Sequence, residues 1–254
     1  MRCFALALVA TAPLVAVELK PHTLEAFDRY IRQTEERLET RKSFLWAGES
    51  PDRAGRIRRG EILVEPFGKN PLAKVPSGLI HDWIGSVFIP GATLARTLAL
   101  VQDYNRHKEF YQPEVVDSRI LAHNDEHFRI YLRLLKKQVI TVVLSTEHEV
   151  QYQAAGPSRW RSKSWTTKIS EVSDAGKPGE HEQPPGTGHG FLWRLNSYWR
   201  FDERDGGTWV ECEAISLTRD VPLGLGLIIE PIIRNLPKES LEHTLRSTRA
   251  ALVK

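Results

Sequence analysis

The sequence predicts an α+β fold in which a curved antiparallel β-sheet is closed by a long C-terminal α-helix, with an extra helix near the N-terminus. Strand-like segments follow one another between residues 115 and 219 without an intervening helical segment, which favours hairpins and an antiparallel sheet. Residues 223–252 then carry apolar side chains at helical spacing. These two features decide the predicted architecture.

The composition is that of an ordinary globular chain. With 254 residues, 41% of them hydrophobic and 26% charged, the chain is long enough to form one sizeable core. A net charge of +3 is small for a dedicated nucleic-acid-binding protein, and we expect no nucleic-acid partner. Four arginines stand close together, namely Arg53, Arg56, Arg58 and Arg59. They predict either a solvated loop or a surface for transient contact with anionic membrane lipids.

The first residues predict export. Arg2 precedes an apolar run from Cys3 to Val17, which is short for a bilayer span and typical of a signal peptide. We therefore expect a leader at residues 1–17 and a secreted or periplasmic protein, with an uncleaved anchor or a misassigned start as alternatives. Removal of the leader leaves Cys212 as the one cysteine, so we expect no internal disulfide and a buried, unreactive thiol.

Residues 18–78 predict an N-terminal helix and a connecting segment ahead of a main domain at 79–254. Apolar side chains recur at helical spacing among charged ones, at Leu24, Phe27, Ile31 and Leu38. They predict an amphipathic helix from about 22 to 44 that packs on the domain. Residues 48–78 are richer in Gly, Pro and charge, with a short strand at Glu61 to Val64, and indicate an irregular connection more than core.

The main domain is expected to begin with a strand and two helices. The strand-like segment LIHDWIGSVFI stops at Pro90-Gly91. Thr93 is then placed to cap a helix. The apolar side of this helix comprises Leu94, Thr97, Leu98 and Val101. A second short helix is expected to continue to Phe110.

From Pro113 onward the period becomes alternating, which predicts strands. One strand has an apolar face made of Phe128, Ile130, Leu132 and Leu134. A longer strand at Val139 to Tyr152 carries, in phase, Ile140, Val142, Leu144, His148, Val150 and Tyr152. Another strand is expected from Trp160 to Val172, between a GPS turn and a Gly/Pro-rich loop.

The register of the last hairpin can be checked from the sequence, because only certain pairings place opposite charges side by side. Its two strands are FLWRLNSYWRF and TWVECEAISLTR. The intervening Asp205-Gly206-Gly207 allows two turns, and either one places Arg200 opposite a glutamate, Glu211 or Glu213. We therefore expect the charged residues to face water and the other face to be buried. The face predicted to be buried contains Phe191, Trp193, Leu195, Trp199 and Phe201.

The closing helix presents a broad apolar stripe made of Ile229, Ile233, Leu236, Leu241, Leu245, Thr248 and Leu252. Pro237 would cost a helix interior about 3 kcal/mol unless it begins a new helix or accepts a kink. We therefore predict two helical pieces, about 223–235 and 237–252.

This pattern resembles the START-like helix-grip superfamily, which includes polyketide cyclases and plant carriers of hydrophobic ligands. The resemblance covers roughly residues 79–252 and rests on two segments, IPGATLARTLALVQDYNRHKEFYQPEVVDSRIL and LPKESLEHTLRSTRAAL. It implies a sheet wrapped around the long helix, with an internal cavity for a lipid, sterol, polyketide or similar apolar compound. The N-terminal helix, the connection to residue 78 and the leader depart from that pattern.

No residue cluster points to a particular reaction. His123 and His127 flank a predicted hairpin turn, where i and i+4 histidines are not placed as a metal pair, and His181 lies in a Gly/Pro-rich loop. We therefore expect no metal, no other cofactor and no assigned catalytic residue. His148 is either a satisfied core histidine or a polar anchor for a ligand.

The preferred functional hypothesis is binding or transport of a hydrophobic, lipid-like molecule in an internal cavity, without catalysis. The alternatives are a cyclase or hydratase that uses His148 or a nearby tyrosine as acid or base, and a structural domain with a filled interior. The side chains expected to bind the ligand are Phe128, Ile130, Leu132, Val142, Leu144, His148, Tyr152, Trp193, Trp199, Ile229, Ile233 and Leu241.

Overall fold

A computed structural model of the chain describes residues 17–68, 72–137, 141–220 and 226–253, with the backbone alone for 226–234. Residues 1–16 of the predicted leader lie outside this description.

Helices and strands occur mostly in separate runs along the chain. The helices are α1 Pro21–Thr40, α2 Pro51–Arg58, α3 Leu94–Gln102, α4 His107–Phe110 and α5 Gly226–Leu252. The strands are β1 Leu63–Pro66, β2 Leu72–Val75, β3 Gly78–Pro90, β4 Val115–Asn124, β5 His127–Lys137, β6 Thr141–Gly156, β7 Arg159–Ser173, β8 His181–Glu182, β9 Arg194–Arg204 and β10 Gly207–Arg219. As predicted, the Thr93 hydroxyl caps α3 by accepting from the backbone N–H of Arg96 at 3.2 Å.

The main sheet is antiparallel and has the strand order β1-β3-β10-β9-β7-β6-β5-β4, with β2 also paired to β3 and β8 to β7. Helix α5 crosses one face of it. The two approach closely at Gly85, where an added Cβ atom would lie 2.7 Å from the Leu245 Cδ1 atom. This arrangement of sheet and C-terminal helix confirms the predicted α+β helix-grip architecture.

Each face of the sheet packs against a different set of elements. The inner face is the one that faces α5, and it buries Val87, Phe201 and Val210 together with Leu241 and Leu245 of α5. The outer face packs against α1 and the segment 44–57. Two further apolar clusters form there, one around Phe27 and Ile215 and the other around Trp46 and Phe88. The central strands are therefore covered on both sides.

The register of the last hairpin is one of the two predicted. Arg200 pairs with Glu211, and Trp199 pairs with Cys212, which is buried. The expectation that the charged face meets water is wrong. Arg200, Glu211 and Glu213 are 6%, 2% and 1% exposed, because α1 and the chain that follows it lie over them.

The covered charges are paired with partners from the N-terminal segment. Arg41 Nη2 lies 2.7 Å from Glu211 Oε1, and Arg37 pairs with Glu213. The Arg200 guanidinium donates to the backbone carbonyl oxygens of Leu38 and Phe44, at 2.8 and 2.7 Å. Burial raises the pKa of Glu211 despite the opposing effect of Arg41. The outer face is thus an ionic interface with α1.

Two other expectations need correction. Residues 48–78 are more than an irregular connection, since Ile57 and Leu63 are buried and β1 and β2 extend the sheet beside β3. Helix α5 is one continuous helix instead of two pieces that meet at Pro237. Continuing the helix loses one backbone donor at Pro237, whereas a break would leave several N–H and C=O groups without helical partners.

Two buried carboxyl groups lie under α1. Asp82 and Glu213 are 2% and 1% exposed, and Asp82 Oδ2 accepts a hydrogen bond from the Tyr30 hydroxyl at 2.8 Å. Burial, reinforced by the neighbouring Glu213, raises the pKa of Asp82 to about 8. Burial therefore favours the protonated form of Asp82.

The Arg41–Glu211 pair should be essential for stability. Arg41→Ala should lower the free energy of unfolding by about 3 kcal/mol in urea titrations, because Glu211 would stay buried without its cation. Lys177→Ala is the control, since Lys177 and its partner Asp174 are exposed, and it should change little. Equal effects of the two substitutions would contradict an ionic interface under α1.

The raised pKa of Asp82 predicts a specific pH dependence. An unfolded aspartate ionises near pH 4, while folded Asp82 keeps its proton to about 8, so ionisation favours the unfolded state across that window. Wild type should therefore lose stability relative to Asp82→Asn as the pH rises from about 4 to about 8. Urea midpoints at pH 5 and 8 measure this difference, and parallel pH profiles for the two proteins would refute it.

Candidate functional site

A row of residues that crosses the middle of the inner face contains three adjacent small side chains. The strand registers align, from one side of the sheet to the other, Trp83, Ala214, Ser197, Ser164, Val150 and Phe128. Three adjacent positions of this row, from Ala214 to Ser164, are small and half-buried, while the remaining three are larger and buried. We call Ala214, Ser197 and Ser164 the small-residue floor.

The exposure of this floor indicates space between the sheet and α5. Ala214 is the single residue from Gly207 to Thr218 that is not buried, although β10 is a central strand. Its side chain faces inward because the adjacent Glu213 and Ile215 lie on the outer face under α1. The accessible area at Ala214 therefore opens on the inner face.

Polar side chains border the floor in the neighbouring row. This row contains His81, Ser216, Leu195, Thr166 and His148. The Thr166 hydroxyl is used internally, since it accepts from the backbone N–H of Leu195 at 3.1 Å. The inner face thus combines apolar walls with a few polar groups, a composition typical of small-molecule pockets.

His148 is the polar residue that the sequence singled out, and its tautomer can be assigned. His148 Nε2 lies 3.0 Å from the Thr146 hydroxyl, which donates its own hydrogen to the Leu132 carbonyl oxygen at 2.9 Å. His148 Nε2 must therefore be the donor, which leaves Nδ1 as an acceptor. Burial lowers the pKa of His148 to about 4, so the ring is neutral at physiological pH.

An aromatic cluster closes the inner face on the side of α3. The hydroxyl groups of Tyr104 and Tyr152 lie 2.8 Å apart, and Phe128 packs between the two rings with centroid distances of 5.4 and 5.7 Å. His123 stacks on the same Phe128 ring at 4.0 Å. These residues form a wall whose polar atoms are already paired.

The sequence-predicted site residues divide into several groups. Buried on the inner face or on α5 are Phe128, Ile130, Leu144, His148, Tyr152 and Leu241. Half-buried on the inner face are Leu132, Val142 and Trp199. The side chains of Ile229 and Ile233 lie outside the described residues. A role for these residues in ligand contact remains a prediction.

Trp193 requires a correction, since it does not share a face with Trp199. Trp193 precedes β9 and packs with Phe27 and Leu38 of α1, whereas Trp199 packs against the inner core. The strict alternation used for the sequence prediction fails here because the backbone bends at this point and enters the strand only at Arg194.

The small-residue floor escaped the sequence analysis. A signal was present, because Ser162, Ser164 and Thr166 alternate along β7 with larger side chains. Its meaning depends on the register with β9 and β10, which brings Ser197 and Ala214 beside Ser164.

Another cleft, of about 610 Å³, lies beside the C-terminal half of α1 and the β4–β5 turn. It is crossed by ion pairs, with Arg161 Nη1 at 2.7 Å from Glu39 and Lys163 Nζ at 2.5 Å from Glu35. Such charged walls do not suit an apolar molecule. The inner face is therefore the better candidate site.

Other kinds of site find little support in the described part of the chain. No group of three or more His, Cys, Asp or Glu side chains there is placed to hold a metal ion. Burial raises the pKa of the Cys212 thiol, which disfavours the reactive thiolate. None of the described helices is long and apolar enough to cross a membrane.

The chain matches no protein-family model and no curated protein. Solved structures with a similar fold include a STAR-related lipid transfer protein of Xanthomonas axonopodis, at 17% identity and a TM-score of 0.48 over 72% of this chain and 98% of that one. The lipid transfer and protein localization domain of human StarD13 has 7% identity and a TM-score of 0.46, over 82% and 97%. The Zhui aromatase/cyclase of Streptomyces sp. R1128 has 10% identity and a TM-score of 0.40, over 68% and 93%.

Proposed function

We propose that this protein binds a hydrophobic small molecule between the inner face of the sheet and α5, and carries or senses it without converting it. The observation that supports this most is the accessible floor at Ala214, Ser197 and Ser164 on central, otherwise buried strands. Packed interiors leave few such spaces, and small side chains in the middle of a concave face leave room for a guest.

The walls of this space suit an apolar guest. Trp199 is half-buried beside the floor, and Leu132 and Val142 are half-buried towards the β5–β6 side of the inner face. Apolar ligand surface removed from water contributes roughly 25 cal/mol per Å². Contact with these side chains would therefore provide most of the affinity, and the polar groups would select the ligand.

Filling the floor should abolish binding. Ser197→Leu places a larger apolar side chain in the space, so it should reduce the affinity for a fluorescent fatty-acid or sterol analogue at least tenfold while the protein stays folded. Ser158→Leu, on an exposed turn, is the matched control and should bind like wild type. Binding is measured by fluorescence titration, with native mass spectrometry after mild purification to detect a retained ligand. Absence of binding in wild type, or unchanged binding in Ser197→Leu, would contradict the proposal.

A cyclase or hydratase is the second candidate function, favoured by the acceptor atom Nδ1 of His148 on the apolar inner face. The two functions differ in what is recovered after incubation. A carrier returns a polyketide-like or unsaturated lipid probe with its mass and isomer unchanged. An enzyme alters the probe, and His148→Gln should then stop the conversion without unfolding the protein.

Export by the leader at residues 1–17 and transient contact with an anionic membrane are further parts of the proposal. The basic cluster supports membrane contact only weakly, because three of its arginines have internal partners. Arg53 donates to the Trp46 carbonyl oxygen, Arg56 pairs with Glu61, and Arg58 donates to the Asp205 carbonyl oxygen. Cosedimentation with phosphatidylserine vesicles tests this contact directly.

A further inference from the structure

Two side chains on the inner face of β3, His81 and Trp83, carry buried nitrogen atoms. His81 is fully buried and Trp83 is 6% exposed. Among the described residues, neither His81 Nδ1 nor Trp83 Nε1 has a partner. Buried polar groups are nearly always satisfied, so a polar group placed between these two side chains would gain hydrogen bonds there.

The hydrogen-bond character of the two atoms can be assigned. His81 Nε2 lies 2.9 Å from the Thr218 hydroxyl, and that hydroxyl donates its hydrogen to the Arg219 carbonyl oxygen at 3.1 Å. His81 Nε2 is therefore the donor, which leaves Nδ1 as a bare acceptor. Burial lowers the pKa of His81 to about 4, so the ring stays neutral at physiological pH. Trp83 Nε1 can only donate.

Both side chains border the candidate site. Trp83 pairs with Ala214 and forms one end of the row that contains the small-residue floor, while His81 pairs with Ser216 in the neighbouring row. Positions two apart on a strand share a face and lie about 7 Å apart. The two side chains are therefore neighbours on the inner face, at the border of the small-residue floor.

We propose that the ligand carries a hydroxyl group at this end of the site, which donates its hydrogen to His81 Nδ1 and accepts one from Trp83 Nε1. The ligand class is a neutral lipid alcohol. A carboxylate has no hydrogen to donate to Nδ1, and an ether or ester oxygen satisfies Trp83 alone. This inference rests on the proposed function, because it assumes an apolar ligand body over the floor.

Three probes with one alkyl chain and different polar ends test the proposal. The probes are 1-dodecanol, dodecyl methyl ether and dodecanoate, and each is titrated against protein loaded with 1-anilinonaphthalene-8-sulfonate. The alcohol should displace the dye with a Kd about tenfold lower than that of the ether or the carboxylate, since it alone satisfies both nitrogen atoms. Equal affinities, or tightest binding of dodecanoate, would overturn the hydroxyl proposal while the proposed function stands. Failure of all three probes to displace the dye would overturn both.

Two substitutions test whether the preference for the alcohol comes from Trp83 and His81. Trp83→Phe removes the donor and should weaken alcohol binding about tenfold, while Trp165→Phe, the same change on the other face of the sheet, should have no effect. His81→Leu removes the acceptor and should bring the ratio of alcohol to ether affinity close to one. Circular dichroism checks that each variant folds, and if one does not, the comparison of probes on wild type decides by itself. A preference for the alcohol that survives both substitutions would overturn the assignment.

Discussion

The rest of the structure depends on one buried ionic contact. It joins the outer face of β9 and β10 to α1 and to the segment that follows α1. Arg200, Glu211 and Glu213 lie on central strands and are almost fully buried. A buried charge without a partner is costly, so these strands require the cations and carbonyl oxygens that residues 37–44 supply. The N-terminal helix is therefore an integral layer of the fold.

This layer determines what the other face can do. With α1 on the outside and α5 on the inside, β3 is buried along its length from Gly78 to Ile89. In such a three-layer arrangement, space left at the centre of the inner face is enclosed by protein on most sides. The floor at Ala214 and Ser197 lies at that place, and His81 and Trp83 bring polar atoms to its border. In the proposed function, fold stability and ligand selection thus depend on opposite faces of the same strands.

The sequence predicted much of the architecture because alternation and helical spacing are local properties. The turn limited the partner of Arg200 to Glu211 or Glu213, of which the structure has Glu211, and the cap at Thr93 followed from residue type. Which face would be covered was not predictable in the same way, since α1 is distant in sequence from the strands that it covers. The floor was missed because it exists only across three strands, and the bulge between Glu147 and His148 shifts the register beside it. Trp193 was misplaced by a local bend that alternation cannot represent.

The central claim is that a ligand occupies the inner face, between the small-residue floor and α5. Hydrogen–deuterium exchange with and without 1-dodecanol tests this claim most directly. Slower exchange in α5 upon ligand addition, with α1 unchanged, is the predicted result, because the ligand would contact α5 and lie across the sheet from α1. Protection confined to α1 and the 44–57 segment would place the ligand on the outer face and contradict the account.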